Sequence, residues 1–448
     1  MSSKLNKLND TIAALATAPG RAGLSVVRVS GPLTKQIAKK ILGYAPRHMI
    51  AKYSSFKTPE GEIVDSGVAL FFSSPRSYTG EDVLELTCHG GQAIVDHLLE
   101  VLFQCGARIA ERGEFTKRAF LNDKLDLIQA EAVADLVESA SRATAKAARR
   151  SLEGVFSQEL HLLSNQLTEL RAEVEASLDF PDEDLIETKH KRSLENKIKA
   201  TQERFRLLLA STKKACRVRE GITVVLSGKP NVGKSSLFNV LCGHERAIVN
   251  RAPGTTRDTL EETLLLDGFL VRLIDTAGIR DSKNPVEQEG VARAKRAAAK
   301  ADCVLHIVDA SSGPPEKTKP KENTITVKNK IDLTQDKPGK NKDNEGEVFC
   351  LSAVSKEGVD ELIDRLKNFF GTGLSQEETY TARRRHLSNI NQAHEFFALA
   401  AKQINNGQTT DLVAEELLLA QNAISEITGE FTNEDLLEEI FNRFCIGK

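Results

Sequence analysis

The chain has 448 residues, a formal net charge of −2 and 28% charged residues. This length favours two to four domains over a single core, and the near-neutral charge excludes a global basic field for nucleic acid. The seven cysteines form no C-x-x-C pair, which argues against a zinc site or a disulfide framework. The chain has no apolar run of membrane-spanning length and no signal-like start, so we expect a cytoplasmic protein without a membrane partner.

Short β-like runs dominate the first part of the chain. AGLSVVRVSG (22–31), DSGVALFF (65–72) and EDVLELTCHGG (81–91) read as strands, and residues 92–106 have helical periodicity. This pattern predicts an N-terminal α+β domain over residues 1–121.

The rest of the chain consists of helical stretches on both sides of an α/β unit. Helical periodicity runs from Leu125 until Pro181, and a polar helix follows near 193–213. Residues 217–373 alternate strands and helices, which indicates a parallel α/β sheet. We therefore predict one helical domain, residues 122–216 and 374–448, interrupted by the inserted α/β domain. Two separate helical domains are the alternative.

The strongest motif follows the first strand of the α/β unit. GKPNVGKS, from Gly228 to Ser235, has the G-x-x-x-x-G-K-S pattern of a phosphate-binding loop, or P-loop. Its glycines let backbone N–H groups wrap the phosphates, Lys234 neutralises the β- and γ-phosphate oxygens, and Ser235 ligates Mg²⁺.

Four more motifs follow in order, each where a predicted strand ends and open α/β sheets bind ligands. GTTRD (254–258) offers Thr256 to the same Mg²⁺, and DTAG (275–278) is the turn that closes over a γ-phosphate. In NKID (329–332), the carboxylate of Asp332 can accept hydrogen bonds from the N1–H and amine of guanine, a donor pair that adenine lacks. Ser352–Ala353 faces the base from its other side. Together these motifs predict a Ras-like GTP-binding domain whose nucleotide contacts are Asn231, Val232, Gly233, Lys234, Ser235, Ser236, Asn250, Thr255, Thr256, Asp275, Thr276, Ala277, Gly278, Asn329, Lys330, Asp332, Ser352 and Ala353.

The order and the residues of these motifs resemble those of the tRNA-modification GTPase family called MnmE or TrmE. SYTGEDVLELTCHGG (77–91), GEFTKRAFLNDKLDLIQAEAVADLV (113–137) and the terminal FCIGK (444–448) extend the resemblance over nearly the whole chain. One departure is the segment 310–328 between Asp309 and Asn329, which is shorter than the family leads us to expect, so the helix there is expected to be reduced.

The resemblance implies a GTP hydrolase that installs a carboxymethylaminomethyl-type group at C5 of the wobble uridine of certain tRNAs. It also implies a homodimer paired through N-terminal domains that resemble folate-binding domains. The one-carbon unit would come from 5-formyl- or methylene-tetrahydrofolate, and the partner would be an MnmG-like flavoprotein that uses FAD and NADH, in a heterotetramer. A regulatory GTPase in ribosome assembly is the alternative, although such factors lack the N-terminal 120 residues and FCIGK.

Ile279 stands where Ras-like GTPases have the Gln that orients the attacking water. The family's pattern places the catalytic residue at Glu287, acting through a bridging water, whereas the residues alone leave Glu289 equally eligible. Arg257 could serve as an internal arginine finger, but a role in the switch loop is favoured.

A monovalent cation can supply the missing positive charge. Asn231 offers a side-chain oxygen, and the backbone carbonyls of Asn250, Ala252 and Thr255 could complete the ligands of a hard cation. In the resembling family, K⁺ held in this way replaces an arginine finger. The alternative is that Asn231 only shapes the P-loop.

The resemblance also places a folate pocket at Arg28, Glu85, Lys124 and Lys448, whereas each residue alone would be read as an ordinary surface ion pair. A carboxylate would accept from the pterin, and cations would bind the glutamate tail. Cys445 is expected to be a flexible thiol; a functional role is possible, but a structural one is favoured. SRATAKAARR (141–150) is either a tRNA-backbone patch or a solvated helix face.

Overall fold

A computed structural model of the chain describes residues 10–179, 187–244, 260–266, 269–275, 301–312, 323–343, 346–371, 380–406, 411–430 and 434–448. The chain forms two compact units. The first comprises residues 1–134, 152–201 and 392–448, and the second comprises residues 135–151 and 202–391. In the described part of the chain, no helix is both long enough and apolar enough to cross a membrane.

A six-stranded mixed sheet lies at the centre of the first unit. Its strands are β1 (Thr11–Leu15), β2 (Ala22–Ser30), β3 (Lys52–Lys57), β4 (Ile63–Phe72), β5 (Val83–Gly90) and β6 (Ala107–Ile109). They are arranged in the order β3-β4-β5-β2-β1-β6, and the only parallel pair among them is β1 with β6. This confirms the predicted α+β character of the first part of the chain.

Two helices pack on this sheet, α1 (Thr34–Leu42) and α2 (Gln92–Gln104). Ile37 of α1 and Leu98 of α2 belong to the same buried cluster as Val27 and Leu86 of the sheet. This burial of aliphatic side chains from both layers stabilises the domain. The sequence had placed the end of α2 two residues later.

The remaining helices within the described residues are α3 (Glu114–Leu121), α4 (Leu127–Glu138), α5 (Arg142–Leu152), α6 (Val155–Asp179), α7 (Glu187–Glu220), α8 (Lys234–His244), α9 (Val359–Gly371), α10 (Arg384–Asn405), α11 (Asp411–Thr428) and α12 (Glu434–Phe441). Helix α7 is longer than the predicted helix at 193–213, because no proline or glycine interrupts residues 187–220. It stops at Gly221, whose φ of 75° is left-handed and favours glycine.

The last residues of the chain are hydrogen-bonded to the start of α3 within the first unit. The N–H of Gly113 donates to the carbonyl of Cys445 at 3.3 Å, and the N–H of Phe115 donates to that of Lys448 at 3.2 Å. Gly447 has a φ of 97°, and a Cβ there would overlap the backbone of β1. Cys445 is exposed, while its backbone carbonyl is engaged by the N–H of Gly113.

A buried ion cluster holds α3 against the start of the first unit. The side chain of Arg118 is 2% exposed and lies 2.6 Å from Asp10, 2.9 Å from Glu114 and 3.2 Å from Glu81. Burial alone would raise the pKa of Glu114, but hydrogen bonds from Arg108 and Arg118 outweigh it and lower that pKa to about 2. The cluster therefore depends on an ionised Glu114.

Acid is expected to destabilise the protein through Glu114. Because its pKa falls from 4.5 to about 2 on folding, its contribution is complete above pH 4.5 and is lost as the pH falls towards 2. This loss is roughly 2–3 kcal/mol of unfolding free energy. Glu114→Gln should remove that pH dependence and cost about 3 kcal/mol at neutral pH, since Arg118 stays buried with one carboxylate fewer.

Calorimetric unfolding at a series of pH values measures this effect, with Glu100→Gln on the exposed face of α2 as the control. A Glu114→Gln variant that loses stability in acid as steeply as the wild type would contradict the assignment.

A seven-stranded sheet lies at the centre of the second unit. Its strands are β7 (Ile222–Ser227), β8 (Leu260–Leu266), β9 (Phe269–Asp275), β10 (Cys303–Asp309), β11 (Thr324–Asn329), β12 (Gly339–Asp343) and β13 (Gly346–Leu351). The order is β12-β13-β11-β10-β7-β9-β8, in which β13, β11, β10, β7 and β9 are parallel and the two edge strands are antiparallel. The carboxyl ends of the five parallel strands therefore meet at one edge, as the sequence predicted for a parallel α/β sheet.

The core of this unit has the composition of a buried parallel sheet. Val224, Leu226, Leu305 and Val327 are fully buried together with Leu237 of α8, as expected for strands covered on their faces. Within the short segment 310–328, the described residues form a 3-10 turn (Ala310–Ser312) and most of β11.

Candidate nucleotide-binding site

The P-loop connects β7 to α8 through residues with left-handed backbone. The φ angles of Gly228, Asn231 and Gly233 are 147°, 65° and 92°. A Cβ at Gly228 would overlap the carbonyl of Ile307, and one at Gly233 would overlap the amide of Asn329. Glycine is therefore required at both positions, and the backbone N–H groups precede the N-terminus of α8, where anions bind.

The side chain of Lys234 lies within this loop. Its Nζ donates to the carbonyls of Gly228 and Lys229, both at 2.7 Å, and the residue is 6% exposed. Burial lowers the pKa of Lys234, and the nearby negative charge of Asp275 partly opposes that shift. The ammonium group is thus placed where a phosphate bound by the loop would meet it.

Ser235 and Asp275 come together at the ends of α8 and β9. The Ser235 hydroxyl donates to Oδ2 of Asp275 at 3.1 Å, and Asp275 is 2% exposed. A hydroxyl and a carboxylate beside a phosphate loop are the hard oxygen groups that Mg²⁺ prefers when it keeps waters and substrate phosphates as its other ligands. The donor set therefore fits a magnesium ion bound with a nucleotide.

Asn329 joins the P-loop to the loop after β13. It is 1% exposed; its Nδ2 donates to the carbonyl of Val232 at 2.9 Å, and its Oδ1 accepts from the N–H of Ala353 at 3.0 Å. In the structure Asn329 therefore positions these two loops relative to each other. A side-chain amide has two N–H donors and two acceptor lone pairs, so these two bonds are compatible with the predicted contact of Asn329 with the nucleotide.

The segment after Asn329 presents a carboxylate to solvent. Lys330 has a left-handed φ of 71°, which turns the chain into the 3-10 turn Ile331–Leu333, and Asp332 in this turn is exposed. The Nζ of Lys330 lies 2.7 Å from Oδ2 of Asp309. Hydrogen bonds from Lys330 and Ser311 lower the pKa of Asp309 to about 2, so this carboxylate is a fixed negative charge.

Asp309 was missed as a member of the site, although its place at the end of β10 was the available signal. On the other side of the turn, the buried Ser352 fixes its own loop, because its hydroxyl oxygen accepts from the N–H groups of Val354 and Ser355 at 3.3 and 3.2 Å. The exposed carboxylate of Asp332 thus follows Asn329, whose side chain is hydrogen-bonded to the loop after β13.

The other predicted nucleotide and cation residues lie outside the described residues. They are Asn250, Ala252, Thr255, Thr256, Arg257, Thr276, Ala277, Gly278, Ile279, Glu287 and Glu289.

The predicted folate residues Arg28 and Glu85 face each other across β2 and β5. Arg28 lies 2.8 Å from the Glu85 carboxylate, and its Cζ lies 5.6 Å from the ring centroids of both Tyr78 and Phe115. The sequence missed the two rings, each of which lies within cation–π distance of the guanidinium.

The other two folate candidates lie on the tail and on the loop after α3. Burial lowers the pKa of Lys448; the Cys445 thiol opposes this and the positive charge of Arg28 adds to it. The Lys448 carbonyl accepts from the N–H of Phe115, the residue whose ring lies 5.6 Å from the Arg28 guanidinium. Lys124 is exposed and contacts the loop at Gly80. The structure therefore brings Arg28, Glu85 and Lys448 together.

A parallel sheet whose strand β7 runs through a glycine-dependent P-loop into α8, with Lys234, Ser235 and Asp275 gathered beside that loop, defines a P-loop nucleotide-binding protein. Residues 127–445 match the family described as the MnmE helical domain, and residues 11–124 match the GTP-binding protein TrmE N-terminus. The chain belongs to the tRNA modification GTPase MnmE family.

Full-length relatives support this membership. The tRNA modification GTPase MnmE of Nitrosococcus oceani is 46% identical over 100% of this chain and 99% of its own length. That of Coxiella burnetii is 47% identical over 98% of this chain and 99% of its own length. Among solved structures, the G domain of the T. maritima FeoB iron transporter matches 34% of this chain and 99% of its own, at 24% identity and a TM-score of 0.23.

Proposed function

We propose that the protein hydrolyses GTP to GDP and phosphate and acts in modifying the wobble uridine of certain tRNAs. One observation carries the proposal: the P-loop, Asn329 and the loop at Ala353 are assembled at one sheet edge, in a chain that matches MnmE relatives over its whole length. The modification is the installation of a carboxymethylaminomethyl-type group at C5.

The nucleotide is GTP, read by Asp332. An exposed carboxylate can accept both N1–H and the exocyclic amine of guanine, while Ser352 and Ala353 border the base. The phosphates bind the P-loop and Lys234, and Mg²⁺ binds Ser235 and Thr256.

K⁺ supplies the charge that an arginine finger supplies elsewhere, and Asn231 contributes a ligand from the P-loop. The carbonyls of Asn250, Ala252 and Thr255 complete the site. Glu287 then orients the attacking water through a bridging water, since Ile279 has no polar group for that task.

A tetrahydrofolate derivative binds in the first unit, where it provides the one-carbon unit. Glu85 is the carboxylate for the pterin edge, held in place by Arg28 at 2.8 Å. Lys448 and Lys124 are the cations for the glutamate tail. We place this pocket where the N-terminal domains of a homodimer pair, and the homodimer assembles with the MnmG-like flavoprotein into a heterotetramer that acts on tRNA.

Glu85→Ala is expected to weaken binding of 5-formyltetrahydrofolate about 10-fold or more, because it removes a charged acceptor and releases Arg28. Isothermal titration of full-length protein measures the effect, and GTP hydrolysis should remain intact. Glu100→Ala on the exposed face of α2 is the control. Wild-type protein that gives no heat with the folate would contradict the pocket.

Mass spectrometry of wobble nucleosides from cells lacking the protein tests the proposed function. We expect the C5-modified uridines to disappear, to return with a wild-type copy, and not to return with Glu287→Ala. Glu289→Ala is the matched control for the neighbouring acid and should restore them. Unchanged nucleosides together with intact GTP hydrolysis would instead favour the regulatory role in ribosome assembly.

A further inference from the structure

Helix α5 presents a row of cations on one face. Arg142, Lys146 and Arg149 are exposed, and their spacing of four and three positions places them side by side on a helix. The opposite face of α5 is buried through Thr144, Ala147, Ala148 and Ser151. The sequence of α5, RATAKAARRSL, contains four basic residues and no acidic residue.

Two other cationic segments of the second unit adjoin α5. The hydroxyl of Thr144 lies 3.5 Å from the carbonyl of Val218 near the end of α7, and Lys213 and Lys214 are exposed one turn earlier on that helix. At the other end of α5, Ser151 accepts a hydrogen bond from the N–H of Thr381 at 2.9 Å.

Helix α10 begins three residues beyond that contact, at Arg384. The cationic surface, as we define it, consists of Arg142, Lys146, Arg149, Lys213, Lys214 and Arg384. Within it, Arg384 is 76% exposed and pairs with Glu220 at 2.8 Å.

Helix stability does not explain these charges. A cation in the last turn of a helix is favourable, which accounts for Arg149. Arg142 and Arg384, however, are the first residues of α5 and α10, where the helix dipole disfavours positive charge, and neither helix has an acidic residue in its first turn. Gathering like charges also costs repulsion in a chain whose net charge is only −2.

We propose that the cationic surface binds the phosphodiester backbone of the tRNA. The inference rests on the proposed function, which supplies a polyanion as substrate, and it adds the place on this chain where that polyanion docks. Phosphate contacts by Lys and Arg provide sequence-independent affinity and orient an RNA. They would hold the tRNA body without reading its bases.

The chemistry of the surface favours RNA over a protein partner. The core of a protein interface is depleted of charge and built around large apolar or aromatic side chains, whereas none of the exposed large apolar side chains lies on α5. By contrast, residues 411–448 contain nine acidic and two basic residues, so that segment would repel the RNA backbone.

The test is a triple charge reversal, Arg142→Glu, Lys146→Glu and Arg149→Glu, in full-length protein. We expect its affinity for tRNA in 50 mM salt to fall about 10-fold or more, and the slope of log affinity against log salt to become shallower by about three. Fluorescence anisotropy with labelled tRNA measures both quantities. The matched control is Lys35→Glu, Lys39→Glu and Lys40→Glu on α1. These three lysines are also exposed, and their reversal changes the net charge by the same amount.

Circular dichroism and GTP hydrolysis should be unchanged in both triple variants, which shows that they fold. A cationic-surface variant that binds tRNA with wild-type affinity and salt slope would overturn the proposal. Wild-type protein that does not bind tRNA at low salt would overturn it as well. Neither result would overturn the proposed function, because GTP turnover and wobble nucleosides test that function separately.

Discussion

Asp332→Asn is expected to weaken GTP binding by roughly 10²–10⁴-fold and to create affinity for xanthosine triphosphate. Two hydrogen bonds to a charged acceptor are lost, each worth about 1.5–3 kcal/mol. The asparagine amide offers one donor and one acceptor in their place. Xanthine carries a carbonyl where guanine carries its amine, so it matches the new pair.

Fluorescence titration of both nucleotides measures this change in base selectivity. The substitution should leave the fold intact, because the Asp332 side chain is exposed. The segment that carries Asp332 is held instead by Asn329, through its hydrogen bonds to the Val232 carbonyl and the Ala353 N–H. Asp336→Asn, an exposed carboxylate in the same loop, is the control and should leave GTP affinity unchanged. Unaltered GTP affinity in Asp332→Asn would mean that Asp332 does not read the base.

GTP turnover is expected to be on the order of 10²–10³-fold faster in KCl than in NaCl at equal ionic strength. An arginine finger contributes about 10³–10⁵ in rate, and the cation performs that task only if its size suits the oxygen cage. Asn231→Ala should abolish the difference because it removes a side-chain ligand from the P-loop.

A second variant separates the cation from backbone strain. Asn231 has a φ of 65°, a conformation that alanine adopts with strain and glycine without it. Asn231→Gly should therefore also lose the preference for K⁺ while retaining GTP affinity. Equal rates of the wild type in the two salts, or a K⁺ preference that survives in Asn231→Gly, would limit Asn231 to shaping the loop.

Local motifs are the part of the site that the sequence predicts well. The P-loop depends on backbone conformations within eight consecutive residues, and Gly228 and Gly233 are there because a Cβ at either position would overlap a neighbour. The alternation of strands and helices likewise predicted the parallel sheet. Both features are written in short stretches of chain.

The contacts that hold the site together join residues that are distant in the sequence. Asn329 bonds to groups 97 and 24 positions away, and Arg118 pairs with Asp10 across 108 positions. These partners are too far apart in the sequence for a local pattern to predict that they would pair. The direction of the Asn329 amide, which joins the Val232 carbonyl to the Ala353 N–H, is decided by the folded sheet.

The two hydrogen bonds of the Asn329 side chain also affect how inhibitors of this protein could be built. Its amide fixes the spacing between the Val232 carbonyl and the Ala353 N–H, so the P-loop and the loop after β13 are already aligned before a compound binds. Two weak fragments, one for each side, could therefore be joined by a short tether with little ordering entropy to overcome in the protein. The best tether length would then be set by the fixed spacing of the two loops in the protein.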